Sequence, residues 1–221
     1  MTDYQLIRSK RRSLELRVLE DGRVQVRAPQ RAPVRMVQAF VDSRRQWIAD
    51  QQQRQARRPR QRWQDGAKLA WRGECLQMDV CEGRTRVTVS GPYLSVRVSD
   101  PEDEAAVCAA VESWMRRQAK PVFEDSIARQ FDWFEQQGFA LPTLRIKKMR
   151  TRWGSLSARG YINLNMALLH YPPEALDYVV MHELCHLKHM DHGPGFHGLM
   201  DARMPDWRER KAILEQPLFQ P

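Results

Sequence analysis

Leu14, Leu16 and Val18 alternate with polar residues, and Val24 and Val26 resume the alternation after Asp21-Gly22. A period of two interrupted by a turn pair predicts a β-hairpin, which Pro29 and Pro33 bring to an end. Residues 34–56 change to helical spacing, with Val37, Phe40, Val41, Trp47 and Ile48 as the apolar positions. Residues 51–62 are rich in Gln and Arg and read as an exposed helix end or linker. Short strands are expected over 69–71, 75–80, 84–90 and 93–98, punctuated by Gly73, Gly83 and Gly91-Pro92.

The second half has a different rhythm. Pro101-Glu102-Asp103-Glu104 opens a long helical region reaching residue 137, which Pro121 is expected to kink or divide. Strands are expected over 143–149 and 161–165, with Gly154 and Gly160 shaping the connection. Ala175, Leu176, Tyr178, Val179, Val180, Met181, Leu184 and Leu187 are apolar almost all round a helix, so that helix is expected to be buried. Pro172-Pro173-Glu174 is a good start for it, since proline is tolerated in the first turn and an acid suits the positive end. Two short helices around 194–203 and 206–216 finish the chain. The pattern predicts an α+β protein. Residues 1–100 form a mostly β accessory domain with one helix and a basic surface. Residues 101–221 form a compact domain with a small antiparallel sheet and one central buried helix.

That buried helix carries His182-Glu183-Leu184-Cys185-His186, which reads H-E-x-x-H. Histidines four residues apart share a helix face, so both imidazoles can hold one Zn²⁺ at roughly 2.0–2.1 Å. Buried histidines and a buried glutamate are costly unless something satisfies them, and a metal does. A catalytic zinc takes three protein ligands and keeps one position open. Of the later histidines, His189 would lie about 10 Å along the same helix at ~1.5 Å per residue from His182. His192 stands among Asp191, Gly193, Pro194 and Gly195, residues that stop a helix and turn the chain back. His192 is therefore the expected third ligand over His189 or His197. Cys185 points elsewhere on the helix and is expected to pack. The spacing H-E-x-x-H-x-x-x-x-x-H matches metzincins, yet those carry glycine where this chain has His189.

A wider pattern surrounds the motif: Arg152-Trp153-Gly154-Ser155, Tyr161-Ile162-Asn163-Leu164-Asn165, Asp177-Tyr178-Val179-Val180, and Asp191-His192-Gly193 with Phe196. It extends toward the N-terminus through Arg8-Ser9-Lys10-Arg11-Arg12, Asp21-Gly22 and Trp47-Ile48. The chain resembles the YgjP-like metallopeptidase family, related to SprT and Spartan-type zinc peptidases. The resemblance implies a zincin-like metallopeptidase domain, zinc on His182, His186 and His192, and Glu183 as the catalytic acid/base. Three departures are visible. Leu156 stands where the family usually has cysteine, Gly193 where it has serine, and His197 where a tryptophan is common.

Charge changes the picture in one respect. The net charge is +9, and residues 1–72 hold 18 Lys+Arg against 7 Asp+Glu, while the remainder holds 18 against 20. A basic surface attracts polyanions. With no base-reading motif, non-specific nucleic acid would be contacted through its phosphates; a solvated arginine-rich face is the plainer reading. No run of about 18 apolar residues or signal core is present, so no membrane partner is expected and the cytoplasm is the expected location. The four cysteines form no C-x-x-C pair, which argues against a disulfide framework.

The expected reaction is zinc-dependent hydrolysis of peptide bonds in protein or peptide substrates, with Glu183 as general base. By resemblance to related peptidases, substrate would lie extended along residues 161–165 as an edge strand. Asn163 and Asn165 are candidate donors to substrate or oxyanion, or else strand-end hydrogen bonders. Arg152 can bind a substrate carboxylate or phosphate, or brace its loop. Trp153 is expected in the core. Two other functions are weighed: a metal-dependent nucleotide phosphohydrolase, favoured by Lys147, Lys148, Arg150 and Arg152, and a nucleic-acid-binding protein with a structural zinc.

Overall fold

The computed structural model describes residues 3–19, 21–56 and 61–216. It divides into two compact units, Met1–Arg60 and Gln61–Pro221. In the first, strands β1 (Tyr4–Ser9), β2 (Glu15–Val18) and β3 (Val24–Pro29) form a sheet of order β1-β3-β2. β2 and β3 are the expected antiparallel hairpin, and β1 joins β3 in parallel. Helices α1 (Val34–Asp42) and α2 (Arg45–Ala56) follow. The expected single helix is thus broken at Ser43, whose hydroxyl donates to the Phe40 carbonyl at 2.8 Å and competes with the helical pattern. Val24, Val26 and Ala28 from β3 meet Val37, Val41 and Ile48 in a small core. Part of the expected linker, 57–60, lies outside the described residues.

The second unit begins with a four-stranded sheet: β4 (Lys68–Trp71), β5 (Glu74–Glu82), β6 (Arg86–Ser90) and β7 (Tyr93–Val98), in the order β4-β5-β7-β6. Its apolar face, with Leu69, Leu76, Met78, Leu94 and Val96, continues into the same core as helix α3 (Glu104–Gln136). The compact units therefore part near residue 60, whereas the alternation of strands and helices alone suggested a division near 100. Asp103 caps α3 by accepting from the N–H groups of Ala105 and Ala106 at 2.9 and 3.2 Å. α3 runs through Pro121 without dividing. Proline removes one backbone donor, but Ala119, Phe123, Ile127, Phe131 and Phe134 keep one buried face on both sides of it. Tertiary burial outweighs the lost bond.

A three-stranded sheet follows: β8 (Thr143–Lys147), β9 (Gly154–Leu156) and β10 (Tyr161–Asn165), ordered β8-β10-β9. The sheet is mixed, not antiparallel as expected, because β8 and β10 run parallel while β9 and β10 run antiparallel. β10 lies in the middle, so the strand expected to present a free edge has none. β9 was not expected at all. A 3₁₀ turn at Met166–His170 leads to α4 (Pro173–Cys185), followed by α5 (Pro194–Arg203) and α6 (Trp207–Ile213). Asp177 fixes α4 to α3, accepting from Ser126 Oγ at 2.5 Å and from Arg129 at 2.9 Å. Among the described residues, no helix is long and apolar enough to cross a membrane.

Candidate metal centre

α4 buries nine residues, among them Leu176, Val179, Val180, Leu184 and Glu183. A helix wrapped in core on most sides holds its polar side chains in fixed directions. The helix stops at Cys185 with His186 as its last half-helical residue. Leu187, Lys188 and His189 donate back to Leu184 and Cys185 at 2.9–3.1 Å, tightening the turn. Among the described residues Arg72 is the non-glycine with positive φ, so His189 fills the metzincin glycine position without adopting left-handed backbone. The His189 ring instead lies over Gly195, where a Cβ would come within 2.9 Å of it. Asp191 then accepts from the Gly193 N–H at 3.1 Å, and the chain enters α5 at Pro194.

That reversal brings His192 over α4. The ring centroids of His182, His186 and His192 are 4.8–5.0 Å apart. One nitrogen from each lies within 4.8 Å of the others. Phe196, itself buried, stands 4.8–4.9 Å from all three rings and forms an apolar wall. His189 and His197 are not part of the group. The carbonyl of His189 takes the Nδ1 of His186 at 3.0 Å, which leaves His186 Nε2 for another partner. The exposed His197 stacks on Trp207 at 5.8 Å.

The donor set suits a divalent transition metal. Burial first, then the neighbouring His186 and His192, push the His182 pKa down to about 4. Its ring is neutral at ordinary pH and keeps a lone pair for coordination. The Nε2 atoms of His182 and His192 face each other at 3.0 Å. Three imidazoles whose ring nitrogens lie within 4.8 Å of one another are a donor set that suits zinc. Cys185 is buried and its thiol is pushed up to about 12, so it remains protonated among apolar neighbours.

Glu183 is 5% exposed, and its Oε2 has no hydrogen-bond partner among the described residues. Burial drives its pKa up to about 7, against opposing pulls from the Leu156 backbone N–H and the Arg152 guanidinium. Gly154 on β9 explains how the carboxylate fits. A Cβ there would lie 2.5 Å from Glu183 Oε1 and 2.8 Å from Cγ. From the sequence alone this glycine is expected to shape the connection between two strands. Its actual place is a strand, and its role is to be thin.

The substrate candidates separate. Arg152 is exposed and, among the described residues, its guanidinium has no ion pair or hydrogen bond. The structure thus does not use that side chain as a brace. Asn163 and Asn165 are not brought to the histidines. They alternate with Ile162 and Leu164, and Leu164 pairs with Gly154, whose face meets Glu183. Both asparagines therefore occupy the other face of the sheet. Asn165 is 4% exposed and donates to the carbonyls of Met149 and Arg152 at 2.8 and 3.1 Å. Its Oδ1 accepts from Ala167 at 3.2 Å, capping the 3₁₀ turn. Asn163 donates to the Ser155 carbonyl and hydroxyl, both at 3.1 Å. Trp153 packs edge-on against Tyr171 at 5.1 Å, as expected of a core residue.

The family described as YgjP-like, metallopeptidase domain, matches residues 12–217. Among solved structures the chain is similar to the metallopeptidase zymogen jannalysin of Methanocaldococcus jannaschii. That likeness is 21% identical, covers 44% of this chain and 97% of that one, and has a TM-score of 0.38. No curated protein matches.

Proposed function

The chain belongs to the YgjP-like metallopeptidase family, and from that premise we propose a zinc-dependent peptidase with His182, His186 and His192 as ligands and Glu183 as general base. What supports this reading most is one juxtaposition: three converging imidazoles beside a buried carboxylate with an unpartnered oxygen. His182, His186 and His192 would hold a divalent cation, which when bound would supply Lewis acidity toward water and a carbonyl. Glu183, with its pKa near 7, accepts a proton from the attacking water and passes it to the departing amine. The Leu156 N–H and Arg152 keep a fraction of Glu183 ionised near neutrality, as a base must be. Phe196 keeps bulk water from one side of the imidazoles. We place the substrate as an extended strand along β9, the edge strand whose Gly154 abuts Glu183. Arg152, at the rim, would take a substrate carboxylate. Residues 61–221 are the catalytic part, and residues 1–60 are accessory.

The unpaired Arg152 would serve a nucleotide phosphate equally well, so phosphohydrolysis is the second reading. Purified protein loaded with zinc is offered an unfolded protein and, separately, nucleoside triphosphates. Glu183→Gln is run alongside. Protein cleavage that falls at least ~100-fold in the variant supports the peptidase. Phosphate release lost in the variant, without proteolysis, supports the second reading. Zinc bound with neither activity would leave a structural metal.

A further inference from the structure

Formal charge is divided very unequally between the two compact units. Residues 1–60 carry 15 Lys+Arg against 6 Asp+Glu, and residues 61–221 carry 21 of each. The whole excess of +9 belongs to the first unit. Of its 15 cations, 14 are arginine.

Topology then collects many of them at one place. β1 runs parallel to β3 with Ser9 opposite Pro29, so the segments that follow both strands leave the sheet at the same end. β2 begins at that end, since Glu15 pairs with Arg27. Arg8 ties the segments together, donating to the carbonyls of Pro29, Gln30 and Ala32 at 3.3, 2.9 and 2.8 Å. Lys10, Arg12, Arg31 and Arg35 occupy these segments and the first turn of α1. All four are exposed, and among the described residues none has an ion pair or side-chain hydrogen bond. Among the described residues Glu15 is the acid at this end, and Arg11 and Arg17 already hold its two oxygens at 2.7 and 2.5 Å. Asp21 and Asp42 lie elsewhere, in the hairpin turn and at the end of α1, each beside its own arginine. α1 also starts without a capping side chain or an acid in its first turn, so the positive end of its dipole adds to the field.

We propose that this end of the first sheet binds nucleic acid, gripping the phosphate backbone through Lys10, Arg12, Arg31 and Arg35. A planar guanidinium presents two parallel donors that match two phosphate oxygens, which an ammonium does not. Arginines left unpaired on neighbouring segments suit a chain of regularly spaced phosphates. Contacts to phosphates carry no base identity, so binding through them is independent of sequence and steeply dependent on salt. The proposal does not depend on the metal centre, so either can fail alone.

Fluorescence anisotropy of the full-length protein with labelled single-stranded and duplex oligonucleotides tests it. Binding at low salt is expected to weaken linearly on a log–log plot against salt. Combined Lys10→Gln, Arg12→Gln, Arg31→Gln and Arg35→Gln should weaken it at least about tenfold and reduce the salt slope by roughly three. Removing the same charge at the exposed Arg84, Arg86, Arg116 and Arg159 should change it less than about twofold. Circular dichroism of every variant checks folding. Replacing Arg12, Arg31 and Arg35 by lysine, which keeps the charge but loses the paired donors, should weaken binding less than the glutamine set does. Absence of binding at low salt overturns the proposal. So does equal weakening by both glutamine sets, or binding to phosphatidylserine vesicles but not to oligonucleotides.

Discussion

Gly154 and Glu183 share one space: a Cβ on the first would stand 2.5 Å from the Oε1 of the second. At Gly154, β9 leaves room for the Glu183 carboxylate because it has no side chain there. Gly154→Ala is expected to displace the Glu183 carboxylate while leaving the imidazoles on α4 and its following turn in place. Overpacking of this kind costs about 1–3 kcal/mol. Peptidase kcat should fall at least ~10-fold with zinc content, measured by mass spectrometry, near that of the parent. A variant with unchanged kcat would mean that Glu183 is not held by this contact.

The same burial makes a pH prediction for the metal-free protein. The folded Glu183 pKa is raised from 4.5 to about 7. Stability from this group is complete below the unfolded value and is lost as pH rises from 4.5 through 7. The loss is on the order of 3 kcal/mol at most. His182 has the opposite sign. Its pKa falls from 6.5 to about 4, so its contribution is present above 6.5 and lost as pH drops toward 4. The two nearly cancel in the parent. Glu183→Gln removes one of them, so the variant should equal the parent in stability near pH 4.5 and exceed it above pH 7. Urea unfolding in chelator across this range measures the gap. A gap that does not widen with pH would show that Glu183 is not desolvated in the folded chain.

The triad was legible in the sequence because its geometry is local. A spacing of four on a buried helix fixes His182 and His186, and Asp191, Gly193 and Pro194 turn the chain so that His192 returns. The role of Gly154 was not legible, since β9 has three residues and no measurable alternation. Its contact with Glu183 depends on how a sheet meets a helix. The central position of β10 was hidden for the same reason: strand order is a tertiary fact. α3 illustrates the reverse case, in which a local signal at Pro121 was overruled by Phe123, Ile127 and Phe131 continuing the buried face.

Because the three imidazoles belong to one helix and the turn after it, losing any one should lower metal affinity sharply. His192→Ala is expected to purify with much less zinc and no peptidase activity. Cys185→Ser and His197→Ala should keep full zinc content, the former at a cost of about 1–3 kcal/mol for a hydroxyl in apolar surroundings. Zinc added at about 100 times its Kd should stabilise the parent by roughly 2.7 kcal/mol and His192→Ala by far less. Equal thermal shifts in both proteins would place the metal elsewhere.

Arg152 and Asn165 meet at one loop yet should fail in different ways. Asn165 uses its amide to hold the carbonyls of Met149 and Arg152 and its oxygen to cap the 3₁₀ turn. Asn165→Ala leaves those part-buried carbonyls without this donor, at about 1–3 kcal/mol, and any activity loss should follow the unfolded fraction. Arg152→Gln removes an exposed cation, so stability should stay within about 0.5 kcal/mol. It also removes one of the pulls that keep Glu183 ionised. The acid limb of the kcat/KM profile should therefore move to higher pH, and KM for acidic peptides should rise more than KM for neutral ones. A uniform loss at every pH, with melting temperature falling in step, would instead make Arg152 a brace for its loop.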